Sequence, residues 1–393
     1  MNVIGRPPDL DTIRFGMPLA PLGRAILIVR TSAPPAEALI AAVADLLNDS
    51  PCYVAFSGGC DSSLVLSAAA VACRQNAHDD PIPITYRFAA EPDTHEHEYQ
   101  QEMVEHLKLR EWIVLDIDDA DLVGPGATAL LAEYGPSWPA SMFATAAALR
   151  DTAPGLLLTG EGGDDVLGWR RLSPASDAAR AVVRNHRVPP PPLIRAAAVD
   201  VMPRALRNRG ARAAIDSAYA PDWLEPELRD RLVATAADLE AAEPRSTSRW
   251  LNYHLRLPWV WQATNNLQAL HARLGFRWEA PLLSPTFLGA LDGSTRWWEY
   301  RGRTALLRRH FAELLPGEII ERTSKASFGT VQFGAHTHEF AQAWDGTGCP
   351  DGVDATRLRE HWLADDPHIG TAMLLHHAWL AANPPRAERA TSV

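Results

Sequence analysis

Residues 53–66 read Tyr53-Val54-Ala55-Phe56, Ser57-Gly58-Gly59-Cys60-Asp61-Ser62-Ser63, Leu64-Val65-Leu66. An apolar run rich in strand formers ends in two glycines, and a nearly all-apolar helical pattern follows over 62–74. A buried strand that turns sharply into a buried helix is a building unit of a parallel sheet covered on both faces. The same alternation continues downstream. Strands are expected over 83–89, 112–117 and 156–160, and helices over 97–107 and 141–150. Upstream, residues 36–48 have helical periodicity, and Ala25-Ile26-Leu27-Ile28-Val29-Arg30 reads as a strand. The fold class expected is α/β, a doubly wound parallel sheet with an additional mostly helical region. Ligands of such sheets sit at the carboxyl ends of the strands, where the glycine loop falls.

The two glycines allow a sharp turn and close approach of backbone to a ligand. The hydroxyls of Ser57, Ser62 and Ser63, with the open N–H groups of a helix start, form a cradle for an anion such as phosphate. Asp61 has the wrong charge for such a cradle unless a cation bridges it, which implies Mg²⁺. The pattern Gly-x₄-Gly-Lys-Ser/Thr is absent, so this is a different phosphate loop. A capped helix after a glycine turn would explain the same letters taken alone. Cys60 fits a small buried side chain better than a nucleophile.

About one hundred residues on, 156–169 read L-L-L-T-G-E-G-G-D-D-V-L-G-W. Again a buried strand ends in glycines and acids at the same rim of the sheet. Glu161, Asp164 and Asp165 repel one another, which is easier to justify around a divalent metal or an amine than on a bare surface turn.

The chain has 393 residues and a formal net charge of −11. That charge sets against nonspecific nucleic-acid binding. No apolar run approaches the ~18 residues of a membrane span, and the amino terminus lacks a signal-peptide core. A cytoplasmic location is expected. Cys52, Cys60, Cys73 and Cys349 have neither disulfide-framework nor zinc spacing. Of 37 basic residues only Lys108 and Lys325 are lysine, which marks them as places where a compact ammonium is wanted or as chance surface residues. His95–Glu98 (H-E-H-E) and His336–Glu339 (H-T-H-E) fit solvated faces better than metal sites. The tryptophans after residue 220 suit a core or pocket walls rather than stacking platforms. Composition divides the chain into a lead segment (1–35), an α/β core (36–170), a mostly helical region (171–383) and a polar tail (384–393).

Together, S-G-G-C-D-S-S and Gly160-Glu161-Gly162-Gly163-Asp164-Asp165 resemble the synthetase domain of the asparagine-synthetase family, among the N-type ATP pyrophosphatases, over roughly residues 36–335. The resemblance implies an adenine nucleotide α-hydrolase-like fold. It also implies that ATP is cleaved between its α and β phosphates, a carboxylate becomes an acyl-AMP, and an amine displaces AMP. Ser57, Gly58, Gly59, Asp61, Ser62, Ser63 and Gly160 would bind ATP and pyrophosphate, and Asp61 and Asp164 would hold Mg²⁺. Glu161 corresponds to the family's general base. Glu321–Gly329 resembles its late R-x-x-K segment, which places Lys325 in catalysis on developing phosphate charge. The family's second Lys region reads Gly302-Arg303-Thr304-Ala305-Leu306-Leu307-Arg308, so Arg303 stands in its place. Residues 273–286 resemble E-x-R-x-P-F-L-D, with Ser284 where the acid usually stands, a departure that points to a changed substrate pocket.

Full asparagine synthetases carry an amino-terminal glutaminase domain with Cys after the initiator Met. Here residue 2 is Asn and 56 residues precede the loop, so the amine is expected from ammonia, a partner protein or the substrate itself. The substrates expected are a peptide or small-molecule carboxylate and an amine. The G-G-D-D spelling and the Arg-rich segment ending Ala220-Pro221-Asp222-Trp223-Leu224 resemble lasso peptide cyclases, which close a macrolactam. β-Lactam synthetases resemble the chain less. Two other classes fit the loop: a tRNA-modifying pyrophosphatase, which the acidic charge disfavours, and an inactive nucleotide-binding partner protein.

Overall fold

The computed structural model describes residues 4–88, 97–168, 173–183, 186–244, 246–294, 301–322 and 330–384. Ahead of the sheet stand α1 (Leu10–Phe15) and α2 (Pro35–Ala44). The sheet is then laid down by β1 (Cys52–Ala55), α3 (Cys60–Gln75), β2 (Ile82–Phe88), α4 (His97–Leu107) and β3 (Ile113–Ile117). α5 (Pro125–Tyr134), α6 (Met142–Ala148), β4 (Leu156–Thr159) and the short α7 (Gly163–Leu167) follow. Six helices come next: α8 (Ser173–Val183), α9 (Pro191–Val201), α10 (Arg204–Ala214), α11 (Pro226–Ala241), α12 (Thr247–His254) and α13 (Pro258–Arg273). β5 (Arg277–Glu279) completes the sheet, and α14 (Pro285–Ser294), α15 (Arg303–Phe311) and α16 (Gly317–Glu321) pack beside it. The carboxyl end is α17 (Ala335–Ala343), α18 (Ala355–Leu363) and α19 (Ala372–Ala382).

All four strand pairings are parallel, in the order β3-β2-β1-β4-β5. The chain moves outward from β1 to β3, then returns to place β4 on the other flank of β1. The order therefore reverses between β1 and β4, the place where a doubly wound sheet opens a crevice at its carboxyl edge. Ala55 pairs with Thr159, so both glycine-rich stretches leave neighbouring strands at the same level.

The strands are apolar throughout because both faces are covered. Cys52, Val54, Leu156 and Leu158 turn to one side, into a core with α2, α3, α14, α15 and α16. Tyr53 and Leu157 turn to the other, against Ile84, Phe276 and Trp278. This is the period-2 alternation of a strand, with apolar residues at both phases. A second core joins Phe15 of α1 to Trp223, Trp362 and Leu374, and Trp223 donates Nε1–H to the Arg14 carbonyl at 2.9 Å. Trp223, Trp250 and Trp278 are buried, as expected of core residues.

Three expectations need correction. Residues 25–30 form no strand: the segment is extended, with Ile26 and Ile28 packed inward and a single ladder-like bond from Val29 N–H to the Pro285 carbonyl at 3.1 Å. Its alternation is that of a strand, but it lies across α14 instead of a sheet edge. A Cβ on Gly289 of α14 would fall 1.7 Å from the Val29 carbonyl oxygen, so the two backbones are in direct contact. β5 went unread because three residues are too few to show a period. α5 also went unread; proline at its first turn and glycine after its last are the signals that mark it. His95 and Glu96 of H-E-H-E lie outside the described residues, as do 385–393 of the tail.

Candidate active site

β1 ends at Ala55, and the loop that follows is tied down at each residue. Ser57 Oγ accepts the Gly59 N–H at 3.3 Å and lies 3.2 Å from Ser62 Oγ, which donates to the Gly59 carbonyl at 3.1 Å. The Ser57 carbonyl accepts from Gln100 Nε2 at 2.9 Å, and the Gly58 carbonyl from the Arg322 guanidinium at 2.8 Å. Arg322 is held in turn over the Tyr99 ring, 4.4 Å from its centroid. Cys60 donates its thiol to the Ile319 carbonyl at 2.9 Å, and burial pushes that thiol up from its ordinary pKa. It is a tie between α3 and α16 rather than a reactive thiolate. The loop thus presents the first turn of α3, whose N–H groups have no partners within the helix, to the crevice.

Ser63 departs from the expectation. Its side chain is fully buried in the packed face of α3, and its Oγ has no hydrogen-bond partner among the described residues. One residue beyond Ser62 on a helix, it is rotated toward the core, out of a ligand's reach in this conformation.

At the end of β4, Thr159 Oγ1 accepts the Glu161 N–H at 3.2 Å and starts the turn. Gly162 takes φ +82° and leads into α7. Gly160 and Gly163 then press against α3. A Cβ on Gly160 would fall 2.7 Å from the Ser62 nitrogen, and one on Gly163 would fall 2.1 Å from Asp61 Cγ. No side chain fits at either position without moving the loop. The two motifs expected to cooperate are therefore in van der Waals contact, and glycine is what permits it.

Asp61 and Asp164 are brought together by a third segment. Arg303, the first residue of α15, reaches both: its guanidinium lies 2.5 Å from Asp61 Oδ1 and bonds Asp164 Oδ1. Burial opposes the charge on Arg303, but the two carboxylates outweigh it and raise its already high pKa. Two carboxylates spanned by one guanidinium fit a small hard cation such as Mg²⁺, which takes one or two protein carboxylates and completes its shell with phosphate and water. Among the described residues there is no cluster of three or more metal-ligating side chains, including at His336–Glu339. Instead, His338 Nδ1 contacts the Gly334 carbonyl and Thr337 is buried against Asp121. Lys325 lies outside the described residues, and Lys108 is exposed at the end of α4.

Beside the loop is a cavity of about 360 Å³, within the ~300–1,000 Å³ range usual for small-molecule sites. Phe56 and Ser57 after β1, Tyr86 and Phe88 of β2, Met142 and Thr145 of α6, and Glu161 line it. It is mostly apolar, with the exposed Glu161 carboxylate as its acid. Leu283, in the turn after β5, packs against Gly162, so the 273–286 segment buttresses the acidic turn. Ser284 Oγ accepts the Phe287 N–H at 3.3 Å, capping α14, a task a carboxylate performs equally well. Gln100, Tyr99 and Arg322 were not foreseen as supports of the loop. Gln100 left one trace, a polar residue on the apolar face of its helix.

An asparagine synthase family model matches residues 36–377 of the chain. No curated protein matches it.

Proposed function

The chain belongs to the asparagine synthase family, a family of ATP-dependent enzymes that form amide bonds, and from that premise we propose that it activates a carboxylate as acyl-AMP, releases pyrophosphate and transfers the acyl group to an amine. The observation that carries this reading is the contact between the two motifs: Asp61 against Gly163, with Arg303 spanning Asp61 and Asp164.

In the first step a carboxylate oxygen bonds to the α-phosphorus and the bond to the β-phosphate oxygen breaks. Negative charge accumulates on pyrophosphate, so fixed cations and N–H donors at that position lower the barrier. The α3 amino terminus, the Ser57 and Ser62 hydroxyls and Arg303 are the groups that receive it, and Lys325 is assigned to the same charge. Asp61 and Asp164 would hold Mg²⁺, which neutralises phosphate charge when bound. In the second step the amine nitrogen bonds to the acyl carbon, AMP departs with the acyl–phosphate bond's electrons, and Glu161 accepts the amine proton. Glu161 lines the cavity, on a turn whose glycines pack against Asp61, Ser62 and Leu283, which supports this role.

The finer reading is that carboxylate and amine belong to a peptide, closed into a macrolactam. Val182, Val183, Ile194 and Val199 on α8 and α9 favour it, being exposed apolar side chains of the kind a peptide covers. The test is carboxylate-dependent exchange of pyrophosphate into ATP with a panel of peptide and amino-acid acceptors. Exchange that disappears in Asp61→Ala and Lys325→Ala, with AMP as product, supports the reading. Turnover that yields ADP refutes it.

A further inference from the structure

Asp164 and Asp165 are adjacent in sequence but serve different neighbours. Asp164 turns to Arg303, and Asp165, rotated about 100° around α7, turns away from the crevice toward the helical region. There its Oδ1 lies 2.8 Å from Nε2 of His254, the last residue of α12. The imidazole is fixed on its other sides as well. Trp250, one turn earlier, stacks on it at 4.9 Å with planes 17° apart, and donates Nε1–H to Glu243 Oε1 at 3.1 Å. Glu243 Oε1 itself lies 3.8 Å from His254 Nδ1.

Resting on the assignment of Asp164 to the metal, we propose that His254 is a positioning residue, clamping Asp165 so that the acidic turn holds Asp164 in the orientation that binds Mg²⁺–ATP. Its imidazole, Asp165 and Glu243 are all mostly buried, with side chains 20%, 25% and 18% exposed. A buried ion pair adds little net stability once its desolvation is counted, so stability alone does not account for such an arrangement beside the motif. The end of a helix favours the cation, which fits an imidazolium between two carboxylates. α7 is five residues long and begins at a left-handed glycine, so it has few bonds of its own to set its direction. The His254 bond supplies an anchor from outside. Groups bonded directly to a metal ligand alter metal affinity by ~10–100-fold when removed; His254 acts one residue further off, through Asp165, so the lower end of that range applies.

The test is a calorimetric titration of ATP binding against Mg²⁺, on the full chain, in wild type, His254→Leu, His254→Gln and Asp165→Asn. The Mg²⁺ concentration for half-maximal enhancement of ATP binding is expected to rise ~10-fold or more in His254→Leu. The rise should be smaller in His254→Gln, which keeps an N–H donor, while ATP affinity without Mg²⁺ stays at the wild-type value in all. A purely architectural role moves binding with and without Mg²⁺ together. If the midpoint is unmoved in folded His254→Leu, the proposal is overturned. If that variant does not fold, unmoved midpoints in His254→Gln and Asp165→Asn overturn it equally. Wild type that shows the Mg²⁺ effect but no carboxylate-dependent pyrophosphate exchange removes the proposed function and leaves the clamp standing.

Discussion

Consider Arg303→Ala. In wild type one guanidinium sits between Asp61, whose side chain is 16% exposed, and Asp164, which is 60% exposed. The Asp164 arm is largely screened by water and is worth at most ~1 kcal/mol. The Asp61 arm is the larger, because a mostly buried carboxylate gains more from a nearby cation than a solvated one does. The full burial figure of ~3–5 kcal/mol is reduced here by the exposure of Arg303 itself, to about 1–2 kcal/mol. The ligand-free variant should therefore lose about 2 kcal/mol. At ~2 °C or less per kcal/mol in a chain this long, its melting temperature falls by about 2–4 °C. The two carboxylates then lose the cation they share, so millimolar Mg²⁺ alone should restore most of the loss in the variant and do little for wild type. In pyrophosphate exchange, loss of a cation aimed at the leaving group costs ~10²-fold. Arg303→Lys should keep exchange within ~10-fold of wild type, since a point charge suffices for phosphate, yet remain less stable without ligand, since one ammonium cannot span two carboxylates as a planar fork does. Thermal melts with and without Mg²⁺ and an exchange assay read all of this. If Arg303→Ala melts at the wild-type temperature, or its destabilisation is indifferent to Mg²⁺, the guanidinium is not the counter-ion of this pair.

Glu161→Gln should separate the two half-reactions: pyrophosphate exchange persists, while amide product measured by mass spectrometry falls ~10²–10⁴-fold, because the base acts only on the amine. Equal loss of both would place Glu161 in adenylation instead. Gly163→Ala should abolish exchange in a chain that still folds, as its Cβ would meet Asp61 Cγ at 2.1 Å and displace that carboxylate; activity within threefold of wild type contradicts the contact. Stability should also depend on pH through His254. Burial alone would lower its pKa, but the hydrogen bond to Asp165 and the charges of Asp165 and Glu243 prevail and push it up to about 9 from an ordinary 6.5. A folded-state pKa above the unfolded one stabilises fully below about 6.5 and is lost as pH rises through about 9. At ~1.4 kcal/mol per unit the protonated ring gains about 3–4 kcal/mol over the neutral one, a pH-dependent gain that the desolvation of the pair largely offsets in net stability. Denaturant midpoints of wild type should converge on those of His254→Gln between pH 6.5 and 9.5, and parallel curves would contradict the assignment.

The sheet and its two motifs were legible because their signals are local. A buried strand followed by glycines and a helix start occupies a dozen residues, and the periods of 2 and 3.6 reveal the rest. What joins the motifs is not local. Arg303 comes to Asp61 from 242 positions away and His254 to Asp165 from 89, and no period or spacing encodes either meeting. The resemblance to a family pointed to Arg303 but not to its bridging of the two acids. Ser63 was misplaced because a motif lists hydroxyls without saying which way the helix turns them. Residues 25–30 were misread as a strand because alternation reports one buried face, whatever covers it, and here the cover is α14.

The strand order has a further consequence. Both acid-bearing turns hang from β1 and β4, two of the three inner strands, while β3 and β5 form the two margins of the sheet. The β3 margin can gain or lose length with little disturbance to the spacing of the inner strands, whereas the β5 margin cannot, since Leu283 just after it packs against Gly162 of the acidic turn. The two motif-bearing turns at the middle are thereby shielded from change at the β3 side of the sheet. Such a layout lets the outer strand and its helix vary while the two glycine-rich turns keep their spacing.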